Sequence, residues 1–172
     1  MYDTIIFPTD GSDGSEAALD HAADVATRYD AVLHVLFVAK DDFGPSGMVE
    51  KEHEGVERSE MVGKSEIEAE RERAQSGMVN TQHDVRGAVA EHGQQVVADA
   101  ADAIGDDVTV ETVVLDGNPY ERIIEFADEN DADLIVMGTH GRTGVDRYLL
   151  GSVTEKVVRT SDVPVLTVRM QA

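Results

Sequence analysis

Apolar positions in this chain cluster in short runs, and longer stretches of helical periodicity separate them. Ile5-Ile6-Phe7, bounded by Thr4 and Pro8, predicts a buried first strand over 4–8. The polar turn Pro8-Thr9-Asp10-Gly11-Ser12 follows, and Asp13-x-x-Glu16 resembles a helix-opening capping box. Ala18, Ala22, Val25, Ala26 and Tyr29 then recur at helical spacing. Val32 to Val38 is rich in β-branched residues and predicts the second strand. Strand, helix and strand in this order imply a parallel pair joined by a right-handed crossover.

The same alternation returns in the second half. A helix is predicted from Asp84 to Ile104, with Val89, Val96, Val97, Ala100, Ala101 and Ile104 on one side and Gly105 as its C-cap. Val108 to Leu115 alternates polar and apolar residues, as a strand near a sheet edge does. Asn118 and Pro119 open the next helix as cap and first helical residue, with Ile123, Ile124 and Ala127 facing the core. Leu134 to Met137 is a strand buried on both faces. Val153, Val157 and Val158 make the last helix amphipathic, and Val163 to Val168 closes the chain as an edge strand that begins near Pro164. Five strands alternate with four helices. The expected fold is therefore α/β: a three-layer α/β/α sandwich on an open five-stranded parallel sheet, doubly wound and Rossmann-like, with strand order 3-2-1-4-5.

Ligands in such sheets sit beyond the carboxyl ends of the strands, where the winding reverses. Two strands end in turns suited to that place, at Pro8-Thr9-Asp10 and at Gly138. The second turn carries the more specific signal, Gly138-x2-Gly141-x9-Gly151-Ser152. Glycines let a backbone approach a phosphate, and a helix N-terminus offers unpaired N–H groups and the positive end of a dipole. Ser152-x-x-Glu155 is also a capping box, a role compatible with donating to a phosphate.

Between the two halves, residues 40–82 break the pattern. Gly44-Pro45-Ser46-Gly47 interrupts the chain, and 40–75 holds eleven acids and six bases, a net of -5. A solvated insertion of about 40–82 in a single domain of 1–172 is expected, with an exposed helix around Ser65 to Gln75 as one possibility for part of it.

Charge sharpens the ligand reading. The chain carries 35 acids against 14 bases, a formal -21. Such a field repels phosphate backbones and anionic bilayers, so neither nucleic acid nor a membrane is expected as a partner. Against that background, Gly138 to Thr160 holds Arg142, Arg147, Lys156 and Arg159 opposite Asp146 and Glu155, an island of +2 where an anion could sit. A solvated helix face could show the same balance. The acid-rich, lysine-poor composition is also what a salt-rich cytosol would select, because salt screens self-repulsion. No cysteine is present, which removes disulfides, thiol catalysis and cysteine-ligated metals. No apolar run approaches the roughly 20 residues of a membrane span, and no basic-then-apolar leader opens the chain. A soluble, cytoplasmic protein is expected.

Pro8-Thr9-Asp10-Gly11-Ser12, Gly117-Asn118-Pro119, the run from Asp133 to Arg142 and Gly151-Ser152-Val153-Thr154 together resemble the universal stress protein family. The glycine spacing is similar to the motif of its ATP-binding branch. The resemblance covers the chain except for roughly 44–82, where family members vary. It implies that Asp10 and Val38 hold the adenine, largely through backbone groups. Pro8, Thr9, Met137 and Gly138 would line the adenine and ribose side. His140, Gly141, Gly151, Ser152, Val153 and Thr154 would surround the phosphates, with Arg142 beside them. The ligand would be ATP, or AMP or ADP, accompanied by Mg2+ or Mn2+. The family also implies a homodimer paired through the last strand, Val163 to Val168.

The function expected from these readings is an ATP-binding, stress-response switch or regulatory dimer. Three rivals remain: a weak ATPase or self-phosphorylating enzyme acting on Ser152, Thr154 or a nearby hydroxyl, a dimeric interaction module without nucleotide, and a different adenine-nucleotide α/β domain that uses the same crevice for AMP or a related ligand. No clear base to activate water is visible, and no catalytic residue is assigned. Other motifs fail on context. Gly63-Lys64-Ser65 has Arg58 where a P-loop needs its first glycine, His53-Glu54 lacks the second histidine of a zinc helix, and His83 and His92 are wrongly spaced for one helical face.

Overall fold

The computed structural model describes residues 1–40, 86–140 and 150–169. The chain forms two compact units, Met1–Asp41 with Ala90–Ala172 and, separately, Asp42–Val89. The first carries every described strand. Of the second, only 86–89 are described, as part of a helix. The predicted insertion, with its possible helix around Ser65 to Gln75, and the decoy motifs within it lie outside the described residues.

The elements run β1 (Thr4–Pro8), α1 (Asp13–Tyr29), β2 (Val32–Lys40), α2 (described over 86–104), β3 (Val110–Gly117), α3 (Pro119–Glu129), β4 (Leu134–Gly138), α4 (Ser152–Thr160) and β5 (Val165–Val168). All five strands are parallel, in the order β3-β2-β1-β4-β5. The expected doubly wound α/β sandwich is the observed fold, and β3 and β5 are its edges.

Strand periodicity divides the core in two. Ile6, Leu36, Ile135 and Met137 point to one face, where Ile123 and Ala127 of α3 and Val157 of α4 close over them. The alternate residues, Ile5, Phe7, Leu33, Val35 and Val136, are equally buried on the other face. There α1 lies across β1 and β4, burying Ala18, Ala22 and Ala26. Small residues on that stripe let the helix backbone come close to the sheet, which matters at the site described below.

Several local expectations shift. The N-cap of α1 is Ser12, one residue before the predicted Asp13, and its hydroxyl accepts from the Ser15 N–H. Asp13 and Glu16 instead fall in the first turn, where their charges favour the helix dipole. β3 starts and ends two residues later than the alternation suggests, and β2 continues to Lys40. Asn118 holds the N-cap position without a side-chain cap bond, and Pro119 stands at the start of α3 as predicted. The cap of α4 is Gly151, so Ser152 is the first helical residue and not the cap. Val157 is buried, whereas Val158 is 44% exposed and faces away from the core. Pro164 precedes β5 and contributes only its carbonyl, which accepts from the Ile135 N–H at 2.9 Å.

One carboxylate sews the amino ends of the central strands together. Asp133 Oδ2 accepts from the backbone N–H groups of Asp3 at 2.6 Å and Thr4 at 3.1 Å, and the Asp133 N–H donates to the Thr4 carbonyl at 2.9 Å. The two backbone donors hold the Asp133 carboxyl below its ordinary value of 3.8. A lowered carboxyl contributes stability above the unfolded value and loses it as pH falls through the folded one. Asp133→Ala should therefore cost about 1 kcal/mol in urea unfolding at neutral pH. That difference from the unsubstituted chain should shrink as the pH drops below the carboxylate range.

Candidate functional site

The site begins where the ladder between β1 and β4 stops. Their paired positions are Ile5 with Leu134 and Ile6 with Ile135, although β1 continues to Pro8 and β4 to Gly138. On its other side β1 stays paired with β2 as far as Pro8 opposite Leu36, and β4 stays paired with β5 as far as Gly138 opposite Val168. Each strand follows its outer neighbour, so a notch opens between them at their carboxyl ends. It lies where the winding reverses, the place ligands take in this class of sheet.

The β1 wall is a tightly bonded turn. The Thr9 N–H donates to the Leu36 carbonyl at 2.9 Å, holding the turn to β2. Thr9 Oγ1 accepts from the Gly11 N–H at 3.1 Å and donates to Ser15 Oγ at 3.0 Å, which in turn donates to the Ser12 carbonyl at 2.8 Å. Asp10 Oδ1 accepts from both the N–H and the hydroxyl of Ser12, at 3.1 and 2.6 Å. Gly11 has φ +72°, a left-handed conformation that a side chain would strain. The result is a rigid loop that feeds directly into the first turn of α1.

The β4 wall meets that first turn backbone to backbone. A methyl group on Gly138 would run into the Gly14 carbonyl, and one on Gly14 would run into the His140 carbonyl. Helix α4 is tied to the same strand end. The buried Thr154 hydroxyl donates to the Gly138 carbonyl at 2.9 Å, and the Gly151 N–H donates to the Thr139 carbonyl at 2.7 Å. Thr139 is buried, and its Oγ1 lies 3.0 Å from His140 Nδ1. The other ring nitrogen, His140 Nε2, is buried and has no hydrogen-bond partner.

The structure thus gathers Pro8, Thr9 and Asp10 with Met137, Gly138 and His140, and brings Gly151 to Thr154 to the same strand end. Val38 stands two residues beyond the Leu36 partner of Pro8, on β2. Gly141 and Arg142 lie outside the described residues, as does Arg147. The local positive balance changes character. Arg159 pairs with Glu155 at 2.7 Å and Lys156 sits 4.5 Å over the Tyr120 ring, so both cations of α4 are engaged on the helix surface. His92 is exposed and lies edge-on to Phe37, with ring centres 5.9 Å apart.

Sequence reasoning missed Gly14, Ser15 and Thr139. A signal existed for the first two: small residues in the opening turn of a helix that follows a tight strand-ending turn point to a close backbone approach.

No group of three or more His, Cys, Asp or Glu suited to a metal ion occurs among the described residues. The strand ends offer backbone groups, closely approaching glycines and a buried imidazole nitrogen without a hydrogen-bond partner.

The universal stress protein family model matches residues 1–169, and the chain belongs to that family. It is 34% identical to universal stress protein MJ0531 of Methanocaldococcus jannaschii, over 98% of this chain and 83% of that relative. Its fold is similar to the solved structure of protein MJ0577, with a TM-score of 0.61, 26% identity and coverage of 100% and 99% of the two chains. A universal stress protein solved in complex with cAMP superposes with a TM-score of 0.58 at 26% identity, over 98% and 97% of the chains.

Gly14→Ala tests the backbone approach. Alanine is the better helix former by roughly 1 kcal/mol, so an open helix would gain stability. Overlap with the His140 carbonyl should reverse the sign and cost about 1–3 kcal/mol in denaturant unfolding.

Proposed function

We propose that the chain is an adenine-nucleotide-binding switch of the stress response, with ATP, or ADP or AMP, in the notch between β1 and β4. The observation that carries this reading is the notch itself. Two adjacent strands part at the winding reversal, glycine backbone lines the gap, and a buried imidazole nitrogen nearby has no partner. The cAMP complex of a family member supports an adenine ligand. In this reading the nucleotide-binding domain spans 1–172, with the charged segment of about 40–82 as an insertion.

The roles divide by wall. Asp10 and Val38, with Pro8, Thr9, Met137 and Gly138, take the base and ribose. His140, Gly141, Arg142, Gly151, Ser152 and Val153 take the phosphates. Thr154 belongs with them by position, but its proton is committed to the Gly138 carbonyl, so it can only accept. Mg2+ or Mn2+ would arrive on the nucleotide's own phosphates. Nucleotide binding would alter a partner surface at this end of the sheet. The homodimer of this reading pairs through the Val163 to Val168 strand, an edge whose Leu166 is 37% exposed. A cytoplasmic location agrees with the finding that no described helix is long and apolar enough to cross a membrane.

Calorimetric titration with MgATP should give a Kd in the micromolar range or tighter. Absence of both heat and a thermal shift at matched salt would overturn the reading. Phosphate release that disappears in Gly141→Glu would instead favour a slow hydrolase. The charge of -21 further predicts a melting temperature that rises from low to molar KCl, and a flat series would remove the case for a salt-rich source.

A further inference from the structure

Helix α2 takes no part in the notch, yet it touches both segments to which the base is assigned. Its Val96 packs on the β1–α1 turn: Cγ2 and Cγ1 stand 3.0 and 3.3 Å from where a Gly11 side chain would begin. One turn earlier, Gly93 is buried against β2 and β3. A methyl group there would fall 2.6 Å from the Phe37 ring and 3.1 Å from Val114 Cγ1. Gly93 and Val96 are three residues apart and share a side of the helix. The helix lies as close to the sheet as its backbone allows at Gly93, so Val96 cannot withdraw from Gly11 without lifting α2.

The hydrogen bonds of the 9–12 turn define its shape but are mostly internal. Thr9 binds Gly11, and Asp10 binds Ser12. The neck of the turn is pinned to the sheet through the Thr9 N–H and the Leu36 carbonyl, and its far end to α1 through Ser15. At the tip, where Asp10 and Gly11 sit, a packing contact comes from α2. Val96 supplies that contact. Phe37, the residue before Val38, is held in the same way, against Gly93 and edge-on to His92.

We propose that α2 is the backstop of the base-binding end of the notch, with Val96 as a positioning residue that sets Asp10 for a purine ring. This inference rests on the nucleotide-binding reading above. Val96 touches no ligand. It acts through the Gly11 turn, so its loss should loosen the grip on the base while leaving the phosphate end intact. Half-buried Val96 also tolerates truncation better than a core valine, and the Val96→Ala chain should fold.

The test compares ATP with inorganic tripolyphosphate, which has the phosphates without the base. Each is titrated into the full chain, tripolyphosphate by displacement of ATP. Val96→Ala should weaken ATP by about fivefold and leave tripolyphosphate unchanged. Gly93→Ala, which lifts the helix off Phe37, should show the same selective loss. Val96→Thr, which keeps the branched shape, should stay close to the unsubstituted chain. A purely structural role would lower the melting temperature and weaken both ligands in parallel. That parallel loss would overturn the proposal, as would unchanged ATP affinity in Val96→Ala. Failure of tripolyphosphate to displace ATP from the unsubstituted chain would also overturn it, because the two ends would then not be separately held. If the unsubstituted chain binds no ATP, the nucleotide reading itself falls. If it binds ATP and the variants do not differ from it, only the role of α2 falls.

Discussion

Gly14 in the first turn of α1 and Gly138 at the end of β4 meet backbone to backbone, each lacking the methyl group that would collide with its neighbour. Core packing elsewhere in the sheet could absorb a change of side chain by small rotations. Here no side chain lies between the two main chains, so nothing can rotate. That contact fixes how far the helix start stands from the strand end, and therefore the height of one wall of the notch. The other ties at this corner refer to the same strand end: the Thr154 hydroxyl binds the Gly138 carbonyl, and the Gly151 N–H binds the Thr139 carbonyl.

Two kinds of force divide the work between the ends of the sheet. Toward the amino ends, charge and hydrogen bonding close the gap between β1 and β4, with the Asp133 carboxylate accepting from both Asp3 and Thr4. Toward the carboxyl ends the same two strands separate, and steric limits take over: glycine against glycine, and Val96 against Gly11. A notch closed firmly at one end and propped at the other keeps its shape without ligand. Little ordering would then be needed when a ligand enters, which favours affinity.

The architecture was largely legible because strands buried on both faces advertise themselves. Leu134 to Met137 and Ile5 to Phe7 have nothing polar to confuse the reading, and they are neighbours in the interior of the sheet. The edge strand β3 was placed two residues early, since alternation tolerates a shift by one full period. Caps were read less well. Asp13 and Ser152 fit cap preferences, but Ser12 and Gly151 took the positions because the strand-ending turns delivered the chain at those residues. Within the site, the strand ends and the glycine spacing were visible in one dimension. The roles of Gly14, Ser15 and Thr139 were not, because each depends on a neighbour that is distant in sequence or on a bond inside a turn. The charge island was only half informative. Arg159 and Lys156 satisfy Glu155 and Tyr120, and a count of charges cannot see such pairing.

The long separation between Asp133 and the strand it sews in place has a consequence for how the protein is made. β1 can pair with β2 once some forty residues have left the ribosome, but its other edge belongs to β4, which is synthesised about a hundred residues later. At ordinary elongation rates that is a wait on the order of ten seconds. Throughout it, Ile5, Ile6 and Phe7 stand with one row of main-chain groups unpaired and both faces incompletely covered. A largely buried, apolar strand is thus also the one left open longest, a window in which a nascent-chain chaperone or a neighbouring chain competes with the native partner.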